Sequence, residues 1–486
     1  MQQNELPEGW ANTRLFDITL DVKNVKPENE PDRDFKYIDI SSIDNRRFVI
    51  SEYKEFKGRD APSRARRPIK ANDVLFSNVR TYLKNIAIVG EEYTNQLCST
   101  GFTVLRPSIG VLPKYLFIFV QTDEFIDSVT PQQRGSQYPA TSDTVVKAAQ
   151  IPLPPLPEQH RIVTAIEALF ARLDATNERL DRVPGIMKAF RQAVLAAACD
   201  GRLTEDWREE QKDLPDAREL LEQIRKEREE AAKAFGKKIK PVKPLTEEEI
   251  VELPKLPEGW AYSALEQIGE WSTGSTPSRK KKEYFGGNIS WVKSGDLNDG
   301  IVTDTEEKIT QEGLDNCSAK LLPAGFISIA LYGATIGKLG VLNIDAATNQ
   351  ACANCQVNPV VINRMFLFYY LLSQREELIK AGQGGAQPNL TNKIVREWPL
   401  ILPPLPEQQE IVRRVDALFA FADSIEAKVA VAREKTERLR QSILAKAFSG
   451  ELVPTEAELA RQEGREYESA EVLLKRIKAE GKSGKK

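Results

Sequence analysis

Two stretches of the chain carry mostly apolar residues at alternating steps of four and three. The first runs Ile162, Ile166, Leu169, Leu173, Thr176, Leu180, Val183, Met187, Phe190, Val194, Ala197; the second runs Ile411, Val415, Leu418, Ala422, Ile425, Val429, Ala432, Thr436, Leu439, Ile443, Lys446. That rhythm is the seam of a coiled coil. Each run spans about forty residues, hence roughly 60 Å of helix. Pro157 suits an early helical position, Glu158 suits the positive end of the dipole, and Gly201 and Gly450 stand where helices stop. Pro184-Gly185 predicts a kink or a brief interruption of the first helix. Elsewhere the pattern changes to short β-branched runs bounded by Gly, Pro and Asn, at 73–76, 86–89, 326–329 and 340–342, with helical stretches at 115–128 and 364–380. These predict two mixed α+β regions, about 6–152 and 256–401.

The chain also repeats itself once. Leu6-Pro7-Glu8-Gly9-Trp10 recurs as Leu256-Pro257-Glu258-Gly259-Trp260, and Thr94-Asn95-Gln96 as Thr348-Asn349-Gln350. Leu153-Pro154-Pro155-Leu156-Pro157-Glu158-Gln159 recurs as Leu402-Pro403-Pro404-Leu405-Pro406-Glu407-Gln408, and the spacing still holds forty residues later, where Asp200-Gly201-Arg202-Leu203 faces Ser449-Gly450-Glu451-Leu452. An unchanged spacing over such a stretch means that length itself is under physical control, as in a rigid rod. Two matching seams predict mutual antiparallel pairing that relates the halves by a pseudo-twofold axis; the alternative is that each stripe packs only against its own globular neighbour. A further matched pair, residues 216–227 and 469–480, reads as short, highly charged amphipathic helices. Residues 237–244 read as a Lys/Pro-rich linker, those after Glu480 as a frayed basic tail, and Trp10 and Trp260 as packing anchors.

Composition narrows the chemistry. The 486 residues hold 68 Lys+Arg, 71 Asp+Glu and one His, and no apolar run approaches the ~18 residues of a membrane span. The N-terminus lacks the basic-then-apolar layout of a secretory signal, so a cytoplasmic location is expected. Five scattered cysteines fit reduced, mostly buried thiols; Cys352 and Cys355 form a C-x-x-C without the second pair a zinc site needs. The lone His160, at a helix start, is expected to be exposed, and leaves no second His for a metal or a triad. No P-loop is present, since Gly333 to Lys338 has the wrong spacing, and no Asn/Asp-Pro-Pro-aromatic tetrapeptide of the amino-methyltransferase kind occurs.

A tandem of unlike globular regions, each opened by L-P-E-G-W and closed by L-P-P-L-P-E-Q leading into a long helix that ends in A-x-x-G-x-L, resembles the specificity (S) subunit of Type I restriction-modification systems. The segments Thr273-Gly274-Ser275-Thr276-Pro277-Ser278, Trp291-Val292-Lys293-Ser294-Gly295-Asp296-Leu297, Tyr332-Gly333-Ala334-Thr335-Ile336-Gly337-Lys338 and Gln383-Gly384-Gly385-Ala386-Gln387-Pro388-Asn389-Leu390 are similar to pieces of such target recognition domains. The resemblance implies an α+β fold class: two mixed α/β target recognition domains joined by two long antiparallel coiled-coil helices with pseudo-twofold symmetry. The expected layout is a first recognition domain at 1–152, a spacer helix at 153–204, a charged segment and linker at 205–255, a second recognition domain at 256–401, a second spacer helix at 402–454, and a charged helix and tail at 455–486.

The resemblance further implies a chain without catalysis or bound cofactor that reads a bipartite sequence in double-stranded DNA. It would dock two methyltransferase (M) subunits, which hold S-adenosylmethionine and methylate adenine N6, and through them restriction (R) subunits that use ATP and Mg. Ile162, Ile166, Leu169, Leu173, Ile411, Val415 and Leu418 mark the partner-docking helices. Charge permits DNA contact locally: between Lys54 and Lys84 nine basic residues, Arg64, Arg66, Arg67, Arg80 and Lys84 among them, stand against three acids, and Arg279-Lys280-Lys281-Lys282 forms a second cluster. Such clusters position a protein on phosphates, whereas base discrimination needs groups at groove edges. The candidates for that are Arg80, Tyr82, Gln137, Thr276, Lys293, Ser294 and Tyr332; Lys338, Gln387 and Asn389 from the resembling loops are further expected DNA contacts. The competing reading is a tandem-module protein-interaction scaffold with no DNA specificity, which fits the acidic balance but not the pairing of like frames with unlike contents.

Overall fold

The computed structural model describes residues 5–130, 140–234, 245–382 and 389–483. It divides into two units that each draw on both repeats, residues 1–181 with 429–486, and residues 182–428.

In the first unit, Thr19–Leu20, Phe102–Pro107, Val74–Ser77 and Ile86–Ile88 form one four-stranded sheet, and Lys54–Lys57, Asp34–Ile38, Gln96–Ser99 and Ala65–Ile69 another. Val74–Ser77 is buried along its whole length, as a continuous apolar run in a central strand requires. A separate antiparallel pair joins entrance to exit, with Ala11 opposite Leu153 and Arg14 opposite Gln150. The second unit repeats the plan: Gly269–Thr273, Cys352–Val357, Ile327–Ala330, Leu339–Leu342 and Gly300–Val302 form one sheet, Lys308–Ile309, Phe285–Val292 and Ala346–Thr348 another, and Ala261–Ala264 pairs with Pro399–Leu402.

Two sequence readings change here. Residues 115–128 form two helices, Pro113–Phe119 and Asp123–Val129, because Thr122 stops the first and caps the second through its hydroxyl; 364–380 is one helix, Arg364–Ala381. The Thr-Asn-Gln match is coincidental. Thr94 and Asn95 precede the strand Gln96–Ser99, whereas Asn349 and Gln350 follow the equivalent strand Ala346–Thr348, each strand running parallel to its neighbour.

The long helices are Leu156–Cys199, 44 residues, and Leu405–Ser449, 45 residues. The first is helical straight through Pro184, so the expected interruption is absent. Both Pro184 and Gly185 are exposed, and a Cβ at Gly185 would meet nothing within 4 Å, so the proline ring has solvent to occupy. In the first unit the helices cross-link in antiparallel order: Asn177 accepts from the Thr436 hydroxyl at 2.8 Å, Asp181 pairs with Arg433 at 2.6 Å, and Asp174 pairs with Arg440. In the second, Arg191 grips Asp423 at 2.5 Å and Glu426 at 3.0 Å.

The two alternatives for the seam each hold along part of it. Ile162, Ile166 and Leu173 belong to the core of the first globular domain together with Ile443, Leu444 and Ala447, and Ile411 and Val415 to the core of the second. Leu439 and Lys446 leave the seam and are exposed, as is Thr176. A straight helix of 3.6 residues per turn drifts against a 3.5 repeat, so the inward row steps from the half-buried Thr436 and Arg440 to the buried Ile443 and Ala447.

The repeated motifs clasp each domain to its helices. The Trp10 indole donates to Glu158 at 2.8 Å and the Trp260 indole to Glu407 at 2.8 Å, both carboxylates fully buried. The Gln159 amide donates to the carbonyls of Gly110 and Pro154 and accepts from the Leu112 N–H; the Gln408 amide treats Val361, Pro403 and Asn363 identically. The glycines close the clasp crosswise. Gly450 ends the second helix at φ +80°, where a Cβ would stand 2.3 Å from Pro7 of the first repeat; Gly201, at φ +82°, meets Pro257 of the second at 2.5 Å. Ala470 N–H then donates to Gly9, and Ala217 N–H to Gly259. These bonds seat the charged helices Ala470–Ser483 and Ala217–Ala234, the former running helical beyond Glu480 where a frayed tail was expected. The 237–244 linker lies outside the described residues.

Candidate nucleic-acid interface

Each domain gathers its candidate residues around one loop. In the first, residues 78–85 follow the buried strand Val74–Ser77. Arg80 and Lys84 both adopt left-handed backbone, φ 50°, which turns the chain twice and leaves Arg80 and Tyr82 exposed between them. The loop is held from below: Thr81 and Thr130 share a hydroxyl bond of 2.6 Å, Val79 bridges to Ala140, and Thr141 N–H donates to Asn78 at 2.8 Å. Both described neighbours of the 131–139 segment are thus pinned to the Arg80 loop. Gln137 itself lies outside the described residues.

The second domain does the same with other residues. Leu331 N–H donates to Ala351 at 2.7 Å, Tyr332 bridges to Asn389, and Leu390 N–H donates to Leu331 at 2.8 Å. Tyr332 and Asn389, far apart in sequence, are therefore exposed neighbours; Gln387 lies outside the described residues. Thr276 donates to Gln350, beside Ala351, and Asn349 N–H donates to Val292 at 2.9 Å, which brings Lys293 and Ser294 to the same side.

Several expected DNA contacts are already engaged within the chain. Lys84 reaches back to Asp123 at 2.6 Å and the Gln121 carbonyl at 2.9 Å, so it braces the loop. Arg67 pairs with Asp143, which also accepts from Asn78 at 2.9 Å and Thr103 at 2.8 Å, forming a polar floor under the Arg80 loop. Arg66 pairs with Glu28. Lys338 lies 3.5 Å from Asp299, which Arg375 clamps while donating to the Gly337 carbonyl at 2.9 Å. Arg279 lies 4.4 Å over the Phe285 ring and forks onto Glu307 at 2.6 and 2.9 Å, and Lys293 joins the same carboxylate at 3.2 Å. The Arg279 guanidinium holds the Glu307 carboxyl down at about 2. Arg64 and Lys280 remain exposed. Sequence reasoning missed Asp143, Gln350, Glu28 and Glu307, whose partners stand tens of residues away.

The seven docking-helix residues also change role. Ile162, Ile166, Leu173, Ile411 and Val415 are buried, and Leu169 and Leu418 pack against the same cores, so these side chains hold the chain's own domains. Any partner helix must meet the other faces. Cys98, Cys199, Cys352 and Cys355 are buried, burial pushing Cys352 up to about 12 and Cys199 to about 11, which leaves them poor nucleophiles at neutral pH. His160 is exposed. Among the described residues no group of side chains suited to a metal ion occurs, and no helix is long and apolar enough to cross a membrane.

Two domains of one plan, each presenting a polar loop platform of its own composition, define a two-module recognition protein. The family model of the Type I restriction modification DNA specificity domain matches residues 7–184 and again residues 257–431, and the chain belongs to that family of DNA sequence-recognition subunits. The reading of a scaffold without DNA specificity falls away with it. The EcoBI specificity subunit of Escherichia coli is 34% identical over 353 residues, covering 70% of this chain and 66% of that one. The EcoKI specificity subunit of Escherichia coli (strain K12) is 27% identical over 501 residues, covering 99% and 97%. Among solved structures, the HsdS subunit from Thermoanaerobacter tengcongensis is 28% identical, covers 93% of this chain and 99% of its own, and superposes with a TM-score of 0.59. A chain from a study of complex assembly and conformational transition of the type I R-M system reaches 0.71 at 28% identity, covering 92% and 100%.

Proposed function

We propose that each domain reads one half of a bipartite duplex sequence, that the paired long helices set the separation of the halves, and that the chain itself performs no chemistry. Two methyltransferase subunits dock against the outward faces of the helices, bring S-adenosylmethionine and methylate adenine N6. An adenine must leave the duplex before its amino group can be reached, so a flipping enzyme has to be held at the site by the reader. Restriction subunits, with ATP and Mg, join through the methyltransferases. The chain needs no cofactor of its own, and its place of work is the cytoplasm, where the DNA is.

The observation that carries this reading is the repeated clasp around unlike loops. Trp-to-Glu and Gln-to-backbone bonds are duplicated, whereas Val79-Arg80-Thr81 on one side answers to Tyr332-Gly333-Ala334 on the other. Two readers of different half-sites need a common frame and different edges. Direct readout of the half-sites falls to Arg80, Tyr82 and Gln137 in one domain and to Thr276, Ser294, Tyr332, Gln387 and Asn389 in the other. Exchanging residues 6–150 for the corresponding domain of a relative should change one half of the methylated motif and leave the other intact, as sequencing of modified adenines will show. A change in both halves would refute the two-reader assignment.

A further inference from the structure

The carboxylates on the expected phosphate contacts have a shared arrangement. In the second domain, Arg279 and Lys293 come from different segments and converge on Glu307, with Lys293 also 2.7 Å from Glu306. Arg279 is fixed beforehand by the Phe285 and Trp291 rings, 4.4 and 5.1 Å away. Its two-pronged grip on a carboxylate has the geometry an arginine uses on a phosphate. In the first domain Arg66 holds Glu28 through a single guanidinium bond and is anchored by its own bond to the Ser63 carbonyl at 3.1 Å. Both sites connect to the reading loops through backbone: Thr100 N–H donates to Arg64 and Asn78 N–H to Gly101 in one domain, Asn349 N–H to Val292 and Leu331 N–H to Ala351 in the other.

We propose that Glu307 and Glu28 occupy seats made for DNA phosphodiesters and surrender them when the duplex docks. The inference rests on the DNA-reading function. Arg279 is 54% exposed and Glu307 30%, and solvent-facing ion pairs are weak, so a phosphate replaces the carboxylate at little cost. Until then the carboxylates neutralise the cations, which holds down sequence-independent binding and reconciles a pI near 5.8 with a DNA-binding role.

The test is the salt dependence of binding to a random-sequence duplex, measured on the full chain alone and with its methyltransferase subunits between about 50 and 200 mM salt. Glu307→Gln and Glu28→Gln should each tighten binding at low salt and steepen the slope of log affinity against log salt by about 0.9, one released counterion for one freed cation. Adding Arg279→Gln to Glu307→Gln should return the slope to that of the parent. Thermal melting confirms that each variant is folded, and the two sites serve as independent trials. Unchanged or shallower slopes in both folded variants, with motif-specific methylation by the parent intact, overturn this proposal alone and make the carboxylates plain structural ties. Failure of the parent to methylate any motif would instead count against the reading function.

Discussion

Two indole N–H groups fasten the recognition domains, and their surroundings differ enough to separate their energetics. Glu158 accepts from Trp10 and from the Glu456 N–H at 2.8 Å, whereas Glu407 accepts from Trp260, the Thr204 hydroxyl and Arg208. Trp10→Phe therefore leaves a buried carboxylate with one main donor, and Trp260→Phe leaves one with two. We expect losses of about 2 and about 1 kcal/mol respectively in urea denaturation, since a stranded charged acceptor costs more than an average hydrogen bond returns. The role of each tryptophan as an anchor is legible in Pro-Glu-Gly-Trp. Its partner is not, because it stands nearly 150 residues away and nothing local to either residue names the other. The same holds for the charges. Arg67, Lys84 and Arg279 are plainly cations of basic clusters, but which cluster residues face solvent and which are held by Asp143, Asp123 and Glu307 is settled by tertiary packing alone.

At the scale of elements, periodicity was the surest guide. Both long helices, the pairing of their seams and the class of the two regions follow from apolar spacing, and the errors have local causes: a threonine cap that splits 115–128, a proline that finds room in solvent, a seam that drifts over many turns. Less visible was that each charged helix completes a domain opened by the other repeat. Ala470, Leu473 and Ile477 are buried in the core of the first unit, and Leu473 lies against Gly110, where a Cβ would stand 2.5 Å from it. Ending the chain at residue 468 should remove at least about 3 kcal/mol of burial from that unit. Hydrogen exchange should then show lost protection within residues 6–152 and unchanged protection within 256–401; uniform loss would mean that the helix stabilises something other than its own domain.

For the molecule as a whole, the ruler idea yields a quantitative expectation. Four residues add about one turn, ~6 Å, equivalent to roughly two base pairs of duplex at ~3.4 Å each. Matched insertions after Ala175 and Leu439 should lengthen the tolerated gap between half-sites by about two base pairs and alter neither half-site; methylation of a spacer library reads this directly, and an unaltered gap would sink the ruler. The division of the chain has another outcome, in time. One unit is a continuous run, 182–428, while the other is split between 1–181 and 429–486. A ribosome therefore makes the amino-terminal lobe first but lets it close last, after the lobe begun later is already whole. A nascent chain therefore carries one finished domain while the other is still open, and any assembly that needs both must wait for residues 429–486.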